Sequence, residues 1–209
     1  FDYEMVDPHV SSTAILLYDI FQNHFPDFFN LEIAEALYTG ILTDTGSFRF
    51  KNTDTETMEI ATELVRMGIV PGEIYNRIYE NRLPEQTKLL GMVLQNINYE
   101  LDGKIAWFKI DKELLDKAGA KAENIEGFTD FVRGIRGVEV AVKFLENSDQ
   151  HTRINFRSKG KIVINKLAKQ FNGGGHPYAA GAEIFKDMDR AIETLLPELK
   201  KCVQEQLDN

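Results

Sequence analysis

The sequence predicts an α/β protein with a mostly helical first unit and an α/β second unit. Two observations carry this. Through about residue 96, apolar residues recur at helical spacing behind capping residues, with no long β-prone run between them. From Leu101-Asp102-Gly103 onward, short runs rich in β-branched and aromatic residues alternate with helical segments. The expected division is residues 1–83, a connecting helix over 84–99, and residues 100–209.

Taken in order, Ser11-Ser12-Thr13 supplies capping hydroxyls ahead of Ile15, Leu16, Ile20 and Phe21. Asn30 caps a second helix that turns Leu31, Ala34, Leu37, Tyr38 and Ile41 inward and should stop at the turn-forming string Thr43-Asp44-Thr45-Gly46. Thr53-Asp54-Thr55-Glu56 has the spacing of a capping box, with Met58, Ala61, Leu64 and Val65 as the buried stripe and Gly68 as the stop. Pro71 and Pro84 each open a further helix. Strands are expected over Lys104–Ile110, Val138–Glu146, Arg153–Arg157 and Ala182–Phe185, with Asn147-Ser148-Asp149-Gln150 as a hairpin connection. Helices are expected over Asp111–Lys117, Ile125–Arg133 and Ile162–Phe171. Asp187 caps a terminal helix with Ile192, Leu195, Leu196, Leu199 and Val203 inward.

Composition narrows the class. At 43% hydrophobic, 209 residues supply core for one large domain or two modest ones. No apolar run approaches the roughly 20 residues of a membrane helix, so no membrane partner is expected. The single cysteine, Cys202, excludes an internal disulfide and a zinc cluster and fits the cytoplasm. A chain that begins at Phe1 is expected to be a fragment or a processed form. The net charge of −9 argues against a protein that coats nucleic acid. Yet Phe131–His176 carries nine Lys/Arg against three Asp/Glu, a local balance of +6 that leaves about −15 elsewhere. Such a stretch is either a solvated basic face or an attraction for a short polyanion.

Two segments hold candidate chemistry. In Phe171–Gly181, FNGGGHPYAAG, three glycines allow backbone N–H groups to converge on an anion, and Pro177 can open a short helix behind them. The alternative is a flexible helix stop. Arg157, at the end of a strand, would add a guanidinium beside Gly173, Gly174 and Gly175, and His176 could donate to a phosphate oxygen. In Gly40–Phe50, GILTDTGSFRF, Asp44 is either an ordinary Asx turn or a carboxylate ligand for a hard cation.

The pair GILTDTGSF and GGGHPYAAG, together with VDPHVSST, GFTDFVRGIRGVEVAVKF and NFRSK in this order, resembles the DHH/DHHA1 phosphoesterase family over essentially the whole chain. The resemblance implies the mostly helical C-terminal portion of a DHH α/β domain followed by a smaller α/β DHHA1 domain with a mixed sheet. It also implies hydrolysis of phosphoester bonds with two divalent cations, usually manganese. Asp44 matches the last metal-binding aspartate, Gly173, Gly174, Gly175 and His176 match the phosphate-binding motif, and Arg157 with Ser158 matches the substrate-contacting strand. The family's earlier metal-binding aspartates and histidines precede the point where this sequence starts, and His9 is not promoted to a ligand.

The expected function is therefore that of the C-terminal part of a metal-dependent phosphoesterase. Its substrates would be short oligoribonucleotides, phosphoadenosine phosphate, or linear or cyclic dinucleotides. The chain by itself is expected to be inactive in hydrolysis. A non-catalytic nucleotide- or RNA-binding module is the alternative, an interaction fragment is a third reading, and homodimerisation is left open.

Overall fold

Ser12 begins the first helix as its hydroxyl predicts. Its side chain accepts from the Ala14 amide and opens α1 (Thr13–His24), with Ala14 and Ile15 buried. In the computed structural model, which describes residues 4–208, the chain divides into two units, residues 1–81 and 82–209. The first continues through a 3-10 turn at Pro26–Phe28 into α2 (Leu31–Asp44), α3 (Thr55–Arg66) and α4 (Pro71–Tyr79). Ala34, Leu37, Tyr38 and Ile41 of α2 meet Ile60, Ala61 and Leu64 of α3 in one apolar cluster.

Three details of this unit differ from the sequence reading. Helix α2 runs through Thr43 and Asp44, because the Thr43 hydroxyl donates to the Thr39 and Gly40 carbonyls and the Thr45 hydroxyl to that of Ile41. Bonded back along the helix in this way, the hydroxyls stop competing with it. Leu31, in the first turn of α2, is exposed. The cap of α3 is Asp54 rather than Thr53, since its carboxylate accepts both the Thr57 amide (2.8 Å) and the Thr57 hydroxyl (2.6 Å). The buried stripe is accordingly Thr57, Ile60, Ala61 and Leu64, with Met58 and Val65 exposed.

The second unit holds α5 (Pro84–Leu94), β1 (Asn98–Glu100), β2 (Ile105–Ile110), α6 (Lys112–Ala118), α7 (Phe128–Arg133), β3 (Val140–Ser148), β4 (His151–Ser158), α8 (Asn165–Gln170), β5 (Gly174–His176), β6 (Ala179–Ile184) and α9 (Met188–Leu207). The sheet order is β1-β2-β3-β4-β6-β5. Strands β2 and β3 are parallel, joined by a crossover through α6 and α7, and the other neighbours are antiparallel. One face of the sheet buries Ile105, Val142, Phe144, Ile154 and Phe156 with residues of α8 and α9. The opposite face of β2 and β3 buries Ala106, Phe108, Ala141 and Leu145 with residues of α5, α6 and α7. Leu89 and Val93 of α5 belong to that second cluster, so this helix is part of the unit's core rather than a connector. Among the described residues no helix is long and apolar enough to cross a membrane.

The glycine run is the largest correction. Gly174–His176 forms an edge strand paired antiparallel with β6, and Pro177-Tyr178 is the turn between them, not the start of a helix. The turn's carbonyls are used: Ser158 N–H donates to Tyr178 O (2.9 Å) and Ile164 N–H to Pro177 O (2.8 Å). Two expected helices are also shorter. Gly127, at φ +79°, splits Ile125–Arg133, and α8 starts only at Asn165 because the Val163 amide donates to the Gln206 side chain of α9.

Candidate functional site

The face of β4 away from α9 builds the site. Alternation along HTRINFRS puts Thr152, Ile154, Phe156 and Ser158 in the interior and Arg153, Asn155 and Arg157 on the other face. Cross-strand partners share a face, so the register sets out two rows. One runs Lys143, Asn155, Gly181, Gly174, and the next Ala141, Arg157, Ala179, His176. The first row ends in two glycines and therefore in bare backbone. The second places Arg157 and His176 on the same face, two strand spacings or about 10 Å apart.

Over these rows lies a cleft of about 520 Å³, walled on one side by Glu126, Thr129 and Asp130 and floored by Lys143, Asn155, Arg157, Gly173 and Gly181. Arg157 is firmly oriented. Its Nη1 donates to the Phe156 carbonyl (3.2 Å) and its Nε lies 3.4 Å from Asp130 Oδ2. The other oxygen of Asp130 lies 3.1 Å from Arg133 Nη2. Nη2 has no hydrogen bond among the described residues, and the guanidinium lines the cleft, where that nitrogen is available to donate to an anion.

Of the sequence-predicted residues, Arg157 and Gly173 line the cleft, while Gly174, Gly175 and His176 lie along the edge strand. Ser158 is not among them: it is 1% exposed on the interior face, where its hydroxyl accepts from the Gly160 amide (3.3 Å). The glycines divide by role. A Cβ on Gly173 would stand 2.0 Å from the Gly181 carbonyl oxygen, and one on Gly175 would stand 2.6 Å from that of Ala179, whereas Gly174 faces open space. Two of the three thus answer to packing of the hairpin.

The sequence reading missed Lys143, Arg153, Asn155, Asp130 and Glu183 as cleft residues. Alternate charged positions in Arg153-Ile154-Asn155-Phe156-Arg157, and a lysine inside the apolar run VAVKFL, were the available signals. The local charge of +6 is also less open than it reads, because Asp130 and Glu183 lie outside the counted window yet pair with Arg157 and Arg153 in the cleft. Lys143 is half-buried, and burial, followed by the neighbouring Arg157 and Arg153, pushes its pKa down to about 8, against the pull of Glu126 and Asp130.

In the first unit, Asp44 ends α2 with its carboxylate exposed. Its Oδ2 accepts from the Ser12 hydroxyl (2.6 Å), and its carbonyl accepts from the Asn52 side chain (3.3 Å). The turn behind it is left-handed at three consecutive residues, Gly46, Ser47 and Phe48, at φ of 56°, 60° and 61°. For a serine and a phenylalanine that conformation costs roughly 1–2 kcal/mol each. Among the described residues no group of three or more His, Cys, Asp or Glu side chains is placed to hold a metal ion. One carboxylate, which also accepts from Ser12, does not by itself complete a site for a pair of divalent ions, each of which wants about six donors. Because Ser12 both caps α1 and holds Asp44, Ser12→Ala is expected to lower stability by about 1–2 kcal/mol in urea denaturation.

Residues 102–205 match the DHHA1 domain family. The chain is 37% identical over 205 residues to the bifunctional oligoribonuclease and PAP phosphatase NrnA of Bacillus subtilis (strain 168), covering 94% of this chain and 64% of that protein. It is 33% identical over 198 residues to the NrnA of Thermus thermophilus, covering 94% of this chain and 59% of that protein. Among solved structures, an exopolyphosphatase-related protein from Bacteroides fragilis superposes with a TM-score of 0.88 at 32% identity, over 94% of this chain and 58% of that one. The chain therefore spans about three fifths of the length of these relatives. With its second unit matched by that domain and 94% of its length aligned to these proteins, the chain belongs to the DHH/DHHA1 phosphoesterase family.

Proposed function

We propose that this chain is the substrate-holding part of a cytoplasmic, divalent-cation-dependent phosphoesterase acting on short oligoribonucleotides, phosphoadenosine phosphate, or linear or cyclic dinucleotides. The observation that carries this reading is the Arg157 guanidinium in the cleft. Asp130 and the Phe156 carbonyl hold its Nε and Nη1, and Nη2 has no hydrogen bond among the described residues. A phosphate seated there gains a charge-assisted contact, and bare backbone at Gly173 and Gly181 leaves room for it beside the sheet. His176 extends the same face toward the edge strand.

Two manganese ions belong to this reading as cofactors, with Asp44 the residue of this chain proposed to meet them. Since the donors described do not complete such a site, the chain by itself is expected to bind nucleotide without hydrolysing it. A non-catalytic binding module predicts the same binding. What favours the enzyme reading is the first unit, where left-handed Ser47 and Phe48 hold the end of α2 that carries Asp44. Backbone strain of this kind persists where it positions a functional group.

Calorimetry with a 5′-phosphorylated dinucleotide tests the proposal. Arg157→Ala should weaken binding by about 10–100-fold, the worth of one charge-assisted contact. His176→Ala should weaken it less, being farther from the cleft floor. Unchanged affinity in Arg157→Ala removes the phosphate reading. Product formed by this chain with manganese present overturns the division between holding and cutting.

A further inference from the structure

We propose that Lys143 is a specificity-determining contact for a second phosphoryl group on the ligand, an inference that rests on the nucleotide reading above. Lys143 sits opposite Asn155, and the register places Arg153 and Arg157 on its two diagonals, at about 7–8 Å each. Three cations on one sheet face repel one another unless anions lie between them. Arg157 has Asp130 at 3.4 Å and Arg153 has Glu183 at 3.7 Å. Lys143 has no ion-pair or hydrogen-bond partner among the described residues, although β3 is otherwise apolar around it. The charged groups facing its ammonium are Arg153 and Arg157 from β4, Asp130 from α7, and Glu126 just before it. A half-buried ammonium with two guanidinium neighbours and an open floor of backbone is a point-charge receptor for an anion. With one phosphoryl group held by Arg157, a second on the same nucleotide, one sugar away, comes within reach of Lys143.

The probes are adenosine 3′,5′-bisphosphate and AMP. Lys143→Met should lower affinity for the bisphosphate about tenfold and for AMP by no more than about twofold. Lys143→Gln should give the same split, and Lys143→Arg should keep the preference for the bisphosphate. Calorimetry of the unsubstituted protein at pH 8 in buffers of different ionisation enthalpy should show more proton uptake with the bisphosphate than with AMP, because the second phosphoryl group stabilises the ammonium. Equal losses for both ligands, equal proton uptake, or no preference for the bisphosphate in the unsubstituted protein overturns the assignment and leaves the nucleotide reading standing. Binding of neither probe overturns both.

Discussion

Gly173→Ala is expected to cost about 3 kcal/mol or more and to displace the β5–β6 hairpin, while Gly174→Ala leaves stability within about 1 kcal/mol of the unsubstituted protein. The difference is steric. A Cβ at position 173 would meet the Gly181 carbonyl oxygen at 2.0 Å, the Ala182 Cα at 2.6 Å and the Ala168 carbonyl oxygen at 2.9 Å. All three are backbone, two from β6 and one from α8. They cannot retreat without breaking the ladder that ties β6 to β4 or the end of a helix whose Ala168 is fully buried. Position 174 has nothing within 4 Å. Its Cβ would instead project into open space on the face shared with Gly181 and Asn155, at the edge-strand border of the cleft where a phosphate is proposed to sit. Gly174→Ala should therefore bind the phosphorylated dinucleotide less tightly at near-normal stability. Urea denaturation of both variants, with calorimetry of the second, separates packing from ligand contact. Equal stability losses at 173 and 174 would mean the hairpin does not pack as described.

The glycine run shows what the sequence could and could not convey. Three consecutive glycines announce that backbone must come close to something. Whether that something is an anion or another strand depends on the partner, and the partner at Gly173 is β6, which follows in the chain and folds back upon it. Arg157 was legible because a strand ending in a cation beside such a run is a local pattern. Asp130 was not, because it enters the cleft from α7, within the β2–β3 crossover, and no spacing rule links it to Arg157. The helices of the first unit were legible down to their caps at Ser12 and Asn30, which local hydrogen bonding decides. The end of α2 was misread for the opposite reason. Thr43 and Thr45 are poor helix formers in isolation, yet their hydroxyls bond back to helix carbonyls and carry the helix as far as Asp44. That continuation is what puts the Asp44 carboxylate within reach of Ser12.

Lys143→Met should stabilise the protein at pH 7 by an amount on the order of 1–3 kcal/mol, and the gain should vanish at high pH. In the unfolded chain this lysine titrates near its ordinary value of 10.5, whereas burial and the two arginines bring it to about 8 in the folded protein. Below pH 8 both states carry the proton and the folded state bears the full penalty of holding a partly desolvated charge beside two others. Between pH 8 and 10.5 the folded protein has released a proton that the unfolded chain still binds, so the stability of the unsubstituted protein rises with pH relative to the methionine variant. Above that window the two should converge. Thermal melts from pH 6.5 to 10.5 read the gap directly, and a gap that is absent at pH 7 or constant with pH would show that Lys143 is solvated and unstressed. Saturating bisphosphate should narrow the gap at pH 7 as well, because an anion beside the ammonium offsets its desolvation and, by binding only the folded state, raises the unsubstituted protein's melting temperature more than the variant's. A cation whose cost to the fold is large when the cleft is empty and smaller when it is filled is one whose position is set by its ligand.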